Sequence, residues 1–239
     1  SFYGDPVVEL TRQDLPDEYY DLVKGVSKSI KEELDSLPQQ GIMINPQDIW
    51  KYEEYLRVLS NIIVPFLEEK RFGCNLYVDK IYIYRTLRLK KRESSYLWHY
   101  DNNPSEIVKN IIYLNEVTND NSPFEFLSDN LGKGILVKPS RTGPNNWQPA
   151  PNNSRITKEQ LFELSNKGYA GRKIFGDMGT TYSFNNNAIH RANPIIHGYR
   201  DVINIRVKPT LNKKENYISK KWTSGHEKSG AVNPYPDRF

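Results

Sequence analysis

Two stretches near the start of the chain repeat apolar residues at intervals of three and four. In residues 17–34 and 49–63 this spacing places the apolar side chains on one side of an α-helix. Asn45 and Pro46 provide an N-cap and a favoured first helical residue for the second helix, and Pro65 is expected to kink or end it. The sequence therefore predicts two amphipathic helices that cover one sheet.

From residue 76 onwards the pattern changes to alternation with period two, which is typical of β-strands. In residues 76–85 the side chains of Ile81 and Ile83 share one face, while those of Tyr82 and Tyr84 share the other. Other runs with strand-like composition are residues 7–10, 96–100, 108–115, 124–127, 134–137, 180–184, 189–191 and 201–208. We predict a strand in each run.

Residues 139–173 interrupt this pattern with a long polar stretch rich in Pro, Gly and Asn. Within it, Thr157 and Gln160 form a capping box for a short helix at residues 158–166, and Gly168 suits its end. Loops of this length in compact domains often act as lids or binding segments. We expect an insertion that covers a site, with a decorative surface loop as the alternative. The tail after residue 210 has weak periodicity and either wraps the domain or stays mobile.

Many short strands behind two helices indicate a mainly β fold with flanking helices. At 239 residues the chain fits a single domain over residues 1–239, with its core at about residues 75–210. Charged residues make up 26% of the chain and hydrophobic residues 37%, and there are 16 Tyr. This composition suits a globular protein with many strands and argues against a disordered one.

The charge and the single cysteine narrow the choice of partners and compartment. The net charge of +4 is carried partly by short basic runs at residues 89–92, 213–214 and 220–221, which do not form the broad basic surface expected of a nucleic-acid partner. No apolar run reaches the roughly 20 residues that span a bilayer, and the first residues lack the features of a signal peptide. Because Cys74 is alone, a reducing compartment is favoured. We expect a cytoplasmic protein with a small-molecule substrate and no membrane partner; the charge fits an anionic small substrate better than a nucleic acid.

The segment Trp98-His99-Tyr100-Asp101 carries the most specific chemistry in the chain. A His and a carboxylate two positions apart on an extended segment point to the same side. His190, arriving from a distant strand, would complete two imidazoles and one carboxylate around a metal with open positions, as in non-haem Fe(II) oxygenases. Arg200, ten residues later, offers a fork that suits a carboxylate. These residues predict a metal site with a 2-oxo acid cosubstrate.

Taken in this order, with apolar runs on both sides and Gly176-Asp177 before the next strand, the residues at about 75–210 resemble the Fe(II)- and 2-oxoglutarate-dependent oxygenase superfamily. Residues 122–127, Ser-Pro-Phe-Glu-Phe-Leu, are similar to the phytanoyl-CoA dioxygenase-like branch. Residues 113–115, Tyr-Leu-Asn, and the spacing of Pro194, Gly198 and Arg200 resemble prolyl 4-hydroxylases. The resemblance implies a double-stranded β-helix, a cupin-like jelly-roll of two sheets with the N-terminal helices packed on one of them.

The resemblance also implies the roles of the site residues. His99, Asp101 and His190 would bind Fe(II) and carry catalysis, and Arg200 would pair with the distal carboxylate of 2-oxoglutarate. With dioxygen, the expected reaction hydroxylates an unactivated C–H bond of a small molecule and releases succinate and carbon dioxide; related halogenases have Gly or Ala at the position of Asp101. Other candidates are contacts of the cosubstrate, at Tyr84, Asn102, Asn110 and Asn204, and a substrate contact at Arg206, which shares a strand face with Arg200.

Several alternatives stay open at this point. A protein or peptide hydroxylase of the prolyl type would need a long open groove at the metal, and a non-catalytic jelly-roll module would leave Arg200 free to point outwards. A zinc hydrolase could also use two His and one carboxylate, although it would not explain Arg200, and a metal-binding cupin would place His where Asp101 stands. His197 and His226 are not expected to bind the metal, and Trp98 is expected to pack in the core.

Overall fold

The protein is described by a computed structural model, which covers residues 4–38, 43–44, 49–88, 94–102, 106–137, 154–213, 216–218, 223–224 and 231–233. At residues 43–44, 94, 223–224 and 231–233 it describes only the backbone. Some predictions fall outside the described residues: the helix start at Asn45 and Pro46, the basic runs at 89–92 and 220–221, residues 139–153 of the insertion, and His226.

Both predicted helices form, and they pack against each other. Helix α1 spans Asp17–Ser36, and a 3-10 turn at Ile49–Tyr52 leads into α2 at Glu53–Phe66. Pro65 lies in the last turn of α2 and has no N–H to donate. The α-helical bonding accordingly gives way to a π-helical turn at Leu67–Phe72, which ends at Gly73 in the left-handed region.

The described residues contain eleven strands and a third helix, α3. The helix is Lys158–Asn166, with the predicted Thr157/Gln160 capping box. The strands are β1 Val7–Leu10, β2 Met43–Ile44, β3 Leu76–Thr86, β4 Val108–Tyr113, β5 Phe124–Ser128, β6 Ala170–Ile174, β7 Thr181–Asn185, β8 His190–Ala192, β9 Arg200–Pro209, β10 Thr223–Ser224 and β11 Ala231–Asn233.

These strands form two antiparallel sheets. The large sheet has the order β1-β7-β4-β9-β3-β11-β10, with β2 also paired to β3. The small sheet has the order β6-β5-β8. In the centre of the large sheet β9 lies between β4 and β3, with Thr86 opposite Arg200, Tyr82 opposite Asn204 and Lys109 opposite Arg206. The register therefore fixes which side chains of the three strands share a face.

Each face of the large sheet has its own apolar core. On one face, α1 and α2 pack Tyr19, Ile30, Leu56 and similar residues against β3, β4 and β9. On the other face, aromatic and aliphatic residues of the large sheet meet Phe124 and Phe126 of the small sheet. Each fully buried large apolar side chain contributes roughly 1.5–3 kcal/mol. The prediction of a mainly β fold with its N-terminal helices packed on one sheet is confirmed at this level.

The strand prediction was wrong in three regions of the domain, and it also missed the short strands β2, β10 and β11. Residues 96–100 do not form a regular strand, because a 3-10 turn at Ser94–Tyr96 leads into an extended segment that pairs only through isolated bridges at His99. Residues 134–137 likewise form only the isolated bridges of Gly134 and Leu136. Conversely, the end of the predicted insertion forms β6, whose mostly exposed Ala-Gly-Arg-Lys-Ile sequence carries few β-formers and is held by pairing with β5.

The described part of the tail lies on the domain. Val78 donates to the Tyr217 carbonyl at 3.3 Å, Arg57 donates to the Ile218 carbonyl at 2.8 Å, and the Ile218 side chain is buried in the helix-side core. Strand β11 adds to the edge of β3. Among the described residues, no helix combines the length and the apolar character needed to cross a membrane.

A buried arginine joins α1 to the centre of the large sheet. The Nε and Nη2 atoms of Arg85 donate to the two carboxylate oxygens of Asp201 at 2.6 and 2.7 Å, and Nη1 donates to Asp35 of α1 at 2.6 Å. The guanidinium also lies 3.9 Å from the centre of the Tyr199 ring. Because Asp201 follows Arg200 directly, this cluster fixes the start of β9, where Arg200 lies.

Candidate metal centre

The extended segment at residues 98–101 is held by backbone hydrogen bonds to two other parts of the chain. His99 and His190 exchange two such bonds, at 3.0 and 2.8 Å, and Asp101 donates to the Asn186 carbonyl at 2.9 Å. Tyr100 donates to Ser154 at 3.1 Å. Since His99 and His190 are opposite residues of one bridge, the backbone itself brings two imidazoles from distant segments side by side.

The side chains of His99, Asp101 and His190 converge on one point. One potential ligand atom from each residue lies within 4.8 Å of the other two. The Nε2 atom of His99 is 3.7 Å from the Oδ1 atom of Asp101, and the two imidazole centroids are 4.3 Å apart. The three residues predicted as metal ligands are thus brought together by the fold.

Hydrogen bonds to the backbone fix the orientation of both imidazoles. The Nδ1 atom of His99 lies 2.7 Å from the Leu97 carbonyl, and that of His190 lies 2.8 Å from the Ala188 carbonyl. A carbonyl only accepts, so Nδ1 carries the proton in each ring. Each Nε2 is left with a lone pair that can bind a metal, an orientation typical of metal-binding histidines.

The electrostatic surroundings favour the protonation states that a metal requires. Burial lowers the pKa of His190 to about 3, and the neighbouring His99 acts in the same direction. Burial also lowers the pKa of His99. For Asp101, burial has the largest single effect and acts to raise the pKa, but Lys109 and the two imidazoles together outweigh it and hold the pKa well below its usual range. At neutral pH the site therefore presents two neutral imidazoles and a carboxylate, which is the form that binds metals.

Lys109 is part of the site although the sequence analysis did not identify it. Its Nζ atom lies 2.6 Å from the Oδ2 atom of Asp101, which leaves Oδ1 on the side of the His99 imidazole. Lys109 lies in β4 and faces the same side as Ile111, as alternation requires. The sequence offered one signal for Lys109, which is a lysine inside a mostly apolar run. Lysine is seldom buried unless it is paired, so such a lysine suggests a carboxylate partner.

Arg200 lies at the start of β9 and is 95% buried. It donates to the Ser122 carbonyl and, at 3.3 Å, to the Thr86 hydroxyl, while its Nε atom is buried without a hydrogen-bond partner in the described part of the chain. A guanidinium keeps its charge even when buried. Arg200 thus offers a positive fork with an unused donor, as the prediction of a carboxylate anchor requires.

The potential ligand atoms of His99, Asp101 and His190 open, together with Arg200, onto one cavity of about 530 Å³ between the two sheets. This volume falls within the roughly 300–1,000 Å³ range of ligand pockets. The other predicted contacts that line it are Tyr84, Asn204 and Arg206. Asn186, which the sequence analysis did not identify, also lines the cavity. At the rim, Ser154 and Arg155 bring the end of the predicted insertion to the site.

Two predicted contacts are placed elsewhere. Asn110 alternates with Lys109 and Ile111, so its side chain points to the helix side, where it donates to the Ile205 carbonyl at 2.8 Å and accepts a hydrogen bond from Ser183. Asn102 is buried in the left-handed region, with φ of 51°, and does not line the cavity. Asn tolerates this left-handed conformation better than most residues.

His197 and Trp98 lie near the candidate site in the sequence but outside the metal cluster in space. His197 is exposed and outside the metal cluster, as expected. Trp98 is partly buried, and the guanidinium of Arg191 lies 4.4 Å from its ring centre, so Trp98 packs beside the site without facing the metal ligands.

Comparisons with known proteins give matches at the level of structure. No protein-family model matches the chain, and no curated protein sequence matches it. EctD from S. alaskensis, solved with 2-oxoglutarate and 5-hydroxyectoine, is 16% identical with a TM-score of 0.56, over 90% of this chain and 76% of EctD.

Two further solved structures are similar over most of their length. The epimerase SnoN, in complex with Fe3+, alpha ketoglutarate and nogalamycin RO, is 13% identical with a TM-score of 0.57, over 87% of this chain and 80% of SnoN. HygX from Streptomyces hygroscopicus, with nickel and 2-oxoglutarate bound, is 14% identical with a TM-score of 0.51, over 89% of this chain and 86% of HygX. The chain therefore shares the fold of solved proteins whose structures hold 2-oxoglutarate.

Proposed function

We propose that the protein is an Fe(II)- and 2-oxoglutarate-dependent dioxygenase that hydroxylates an unactivated C–H bond of a small molecule and releases succinate and carbon dioxide. One observation carries this proposal: the potential ligand atoms of His99, Asp101 and His190 converge on a cavity that also contains the buried guanidinium of Arg200. Solved structures of EctD hold Fe or 2-oxoglutarate, that of SnoN holds Fe3+ and alpha ketoglutarate, and that of HygX holds nickel and 2-oxoglutarate, and these ligands support it.

The donor set fits a divalent iron ion. His99 and His190 would bind through Nε2, because each Nδ1 is committed to a backbone carbonyl, and Asp101 would bind through the oxygen that Lys109 does not hold. Two imidazoles and one carboxylate on one side of a metal leave positions for a cosubstrate, and this set is associated with non-haem Fe(II) oxygenases.

The opposite wall of the cavity fits 2-oxoglutarate. Arg200 would hold the distal carboxylate, assisted by the Thr86 hydroxyl that it already contacts. Tyr84 and Asn204 line the same wall and are the remaining candidates for cosubstrate contacts. The start of β9 is fixed by the Arg85–Asp201 pair, so the anchor is presented without a conformational adjustment.

When bound, iron and 2-oxoglutarate supply the oxidising chemistry with dioxygen, and the protein supplies orientation and a dry surface. Lys109 keeps Asp101 ionised and turned towards the imidazoles. Phe124 and Phe184 lie against the His190 ring, at centroid distances of 5.4 and 4.9 Å, and cover it with apolar surface. These side chains would exclude water from the reacting C–H bond.

The topology and the branch belong to the same proposal. We propose that the two antiparallel sheets form a double-stranded β-helix and that residues 122–127 place the protein near the phytanoyl-CoA dioxygenase-like branch. Against the non-catalytic alternative, Arg200 is buried and lines the same cavity as the potential metal ligands, whereas a module without cosubstrate would leave it free to point outwards.

A test uses purified protein with Fe(II), 2-oxoglutarate and a metabolite panel under air, and follows succinate and products that gain one oxygen atom. We expect His190→Ala and Asp101→Ala to abolish succinate formation and Fe(II) binding while the fold survives. The matched control is His197→Ala, which removes an exposed imidazole seven residues away and should behave as wild type. Unchanged succinate formation in His190→Ala would contradict the proposed function.

A further inference from the structure

The cavity has a second cationic end, which the proposed function does not use. Arg200 and Arg206 lie on the same face of β9, and both line the cavity. Six strand residues span about 20 Å of backbone, so the two guanidinium groups serve opposite ends. Arg206 lies opposite Lys109 of β4, which places it on the side of the metal ligands that is remote from Arg200.

A buried carboxylate holds Arg206 in place. The pairing of β3 with β9 shifts between Val78 and Lys80, which leaves Asp79 as the extra residue of a bulge. Asp79 is fully buried, forms an ion pair with Arg206, and lies 3.4 Å from the Nζ atom of Lys208. Bulges beside functional sites commonly redirect a side chain in this way. One carboxylate is thus shared by two cations.

The charged side chains that line the cavity are mostly positive. Among the described residues that line it, four are cations, Lys109, Arg155, Arg200 and Arg206, and one is a carboxylate, Asp101. A divalent iron and the dianion of 2-oxoglutarate would cancel each other. Asp79 pairs with Arg206 from outside the lining and adds a second carboxylate. Four cations against two carboxylates leave this wall with a positive excess, which favours an anionic ligand.

Polar atoms at this end also lack partners. In the described part of the chain, the Nε atom of Arg206, the Oδ1 atom of Asn204 and both amide atoms of Asn186 are buried without a hydrogen bond. Buried polar groups are nearly always paired in folded proteins. All three side chains line the cavity, so a ligand with both acceptors and donors would satisfy them.

We infer that the substrate is a small polar molecule with a carboxylate or phosphate group, that Arg206 binds this group, and that Asn186 and Asn204 bind its neighbouring polar atoms. This inference rests on the proposed function and names its substrate class. The anionic group lies at the end remote from Arg200, and the bond to be oxidised lies between that group and the cosubstrate.

The test compares three probes of equal ring size, benzoate, phenyl phosphate and the neutral benzamide, on protein loaded with Fe(II) and 2-oxoglutarate without oxygen. Binding is followed by calorimetry and by the visible absorption of the loaded protein. We expect one of the two anions to bind at least about tenfold more tightly than benzamide, as a charge-assisted contact implies. The preferred anion identifies the group as a carboxylate or a phosphate.

Variants then assign the site. Arg206→Gln should lower the affinity for the preferred anion to that for benzamide, and Arg206→Lys should restore part of it. The control Lys208→Gln removes a charge from the same strand and the same Asp79 cluster but from a residue that does not line the cavity, so it should leave binding unchanged. The double variant Asp79→Asn with Arg206→Gln removes both partners, so it should fold even where Arg206→Gln alone does not, and should show the same loss.

Equal binding of all three probes by the wild type, or equal effects of Arg206→Gln and Lys208→Gln, would overturn the inference. Titration of 2-oxoglutarate into the same proteins loaded with Fe(II) alone separates this failure from failure of the proposed function. If 2-oxoglutarate binds and the anions do not, only the inference fails. If 2-oxoglutarate does not bind, the proposed function fails. Anion binding is then measured in metal-free Arg200→Gln protein, with and without the additional Arg206→Gln change. Loss of anion binding on adding Arg206→Gln supports the anion site, and no loss contradicts it.

Discussion

At the scale of single residues, the two cavity arginines of β9 differ in their surroundings. In the described part of the chain both keep an unused Nε donor, but Arg200 is bonded to neutral oxygens, whereas Arg206 is already paired with a carboxylate. We expect Arg200→Lys to weaken 2-oxoglutarate binding by about tenfold or more, because the two-pronged contact is lost. Arg206→Lys should change it by less than about twofold. Titration of 2-oxoglutarate into both variants checks this; a larger loss in Arg206→Lys would mean that the anchor is misassigned.

Lys109 neutralises the partly buried carboxylate of Asp101, which a metal would also neutralise. In metal-free protein, Lys109→Met leaves Asp101 unpaired, and we expect the free energy of unfolding to fall by about 3–5 kcal/mol. With saturating metal the loss should be much smaller, because the metal then supplies the counter-charge. Urea unfolding with chelator and with metal measures both values, and Lys133→Met, at an exposed lysine, is the control. An equal loss in both conditions would refute this role for Lys109.

At the scale of elements, the Arg85 cluster ties α1 to the strand that carries Arg200. Removal of the guanidinium in Arg85→Met leaves Asp201 buried without its partner, so we expect a loss of about 3–5 kcal/mol in the free energy of unfolding. The control Lys31→Met breaks an exposed pair with Asp35 on the same helix, and it should have little effect. Denaturant unfolding measures the free energy of unfolding of both variants. Similar losses in the two would show that the buried guanidinium of Arg85 is not what holds α1 to β9.

The elements also show how far the sequence could be read. Residues 76–85 and 201–208 were predictable because alternation and β-formers agree with their burial on two different faces. Strand β6 was not, because its Ala-Gly-Arg-Lys-Ile sequence has little strand preference, and only pairing with β5 makes it a strand. The segment of His99 was predicted as a strand from its composition, although its pairing is confined to isolated bridges with His190 and Arg155.

At the scale of the whole molecule, the order of His99, Asp101, His190 and Arg200 was enough to predict which side chains converge, through the resemblance to a superfamily. Lys109 and Asn186 could not be found in this way, because their place depends on the register of β4 against β7 and β9 and on the turn after β7. The wrong assignment of Asn110 has the same origin, since a shift of one position moves a side chain to the other face.

The two backbone hydrogen bonds between His99 and His190 have a consequence for the life of the molecule. They join segments from distant parts of the chain, and an ion bound by both imidazoles would stabilise the contact between these segments. By mass action, an ion at 100 times its dissociation constant should add about 2.7 kcal/mol to the free energy of unfolding. Melting curves with increasing Ni(II) should therefore shift upwards in the wild type and stay fixed in His190→Ala. Unfolding, degradation and abundance would then follow the supply of metal, so that scarcity would remove the protein itself as well as its activity.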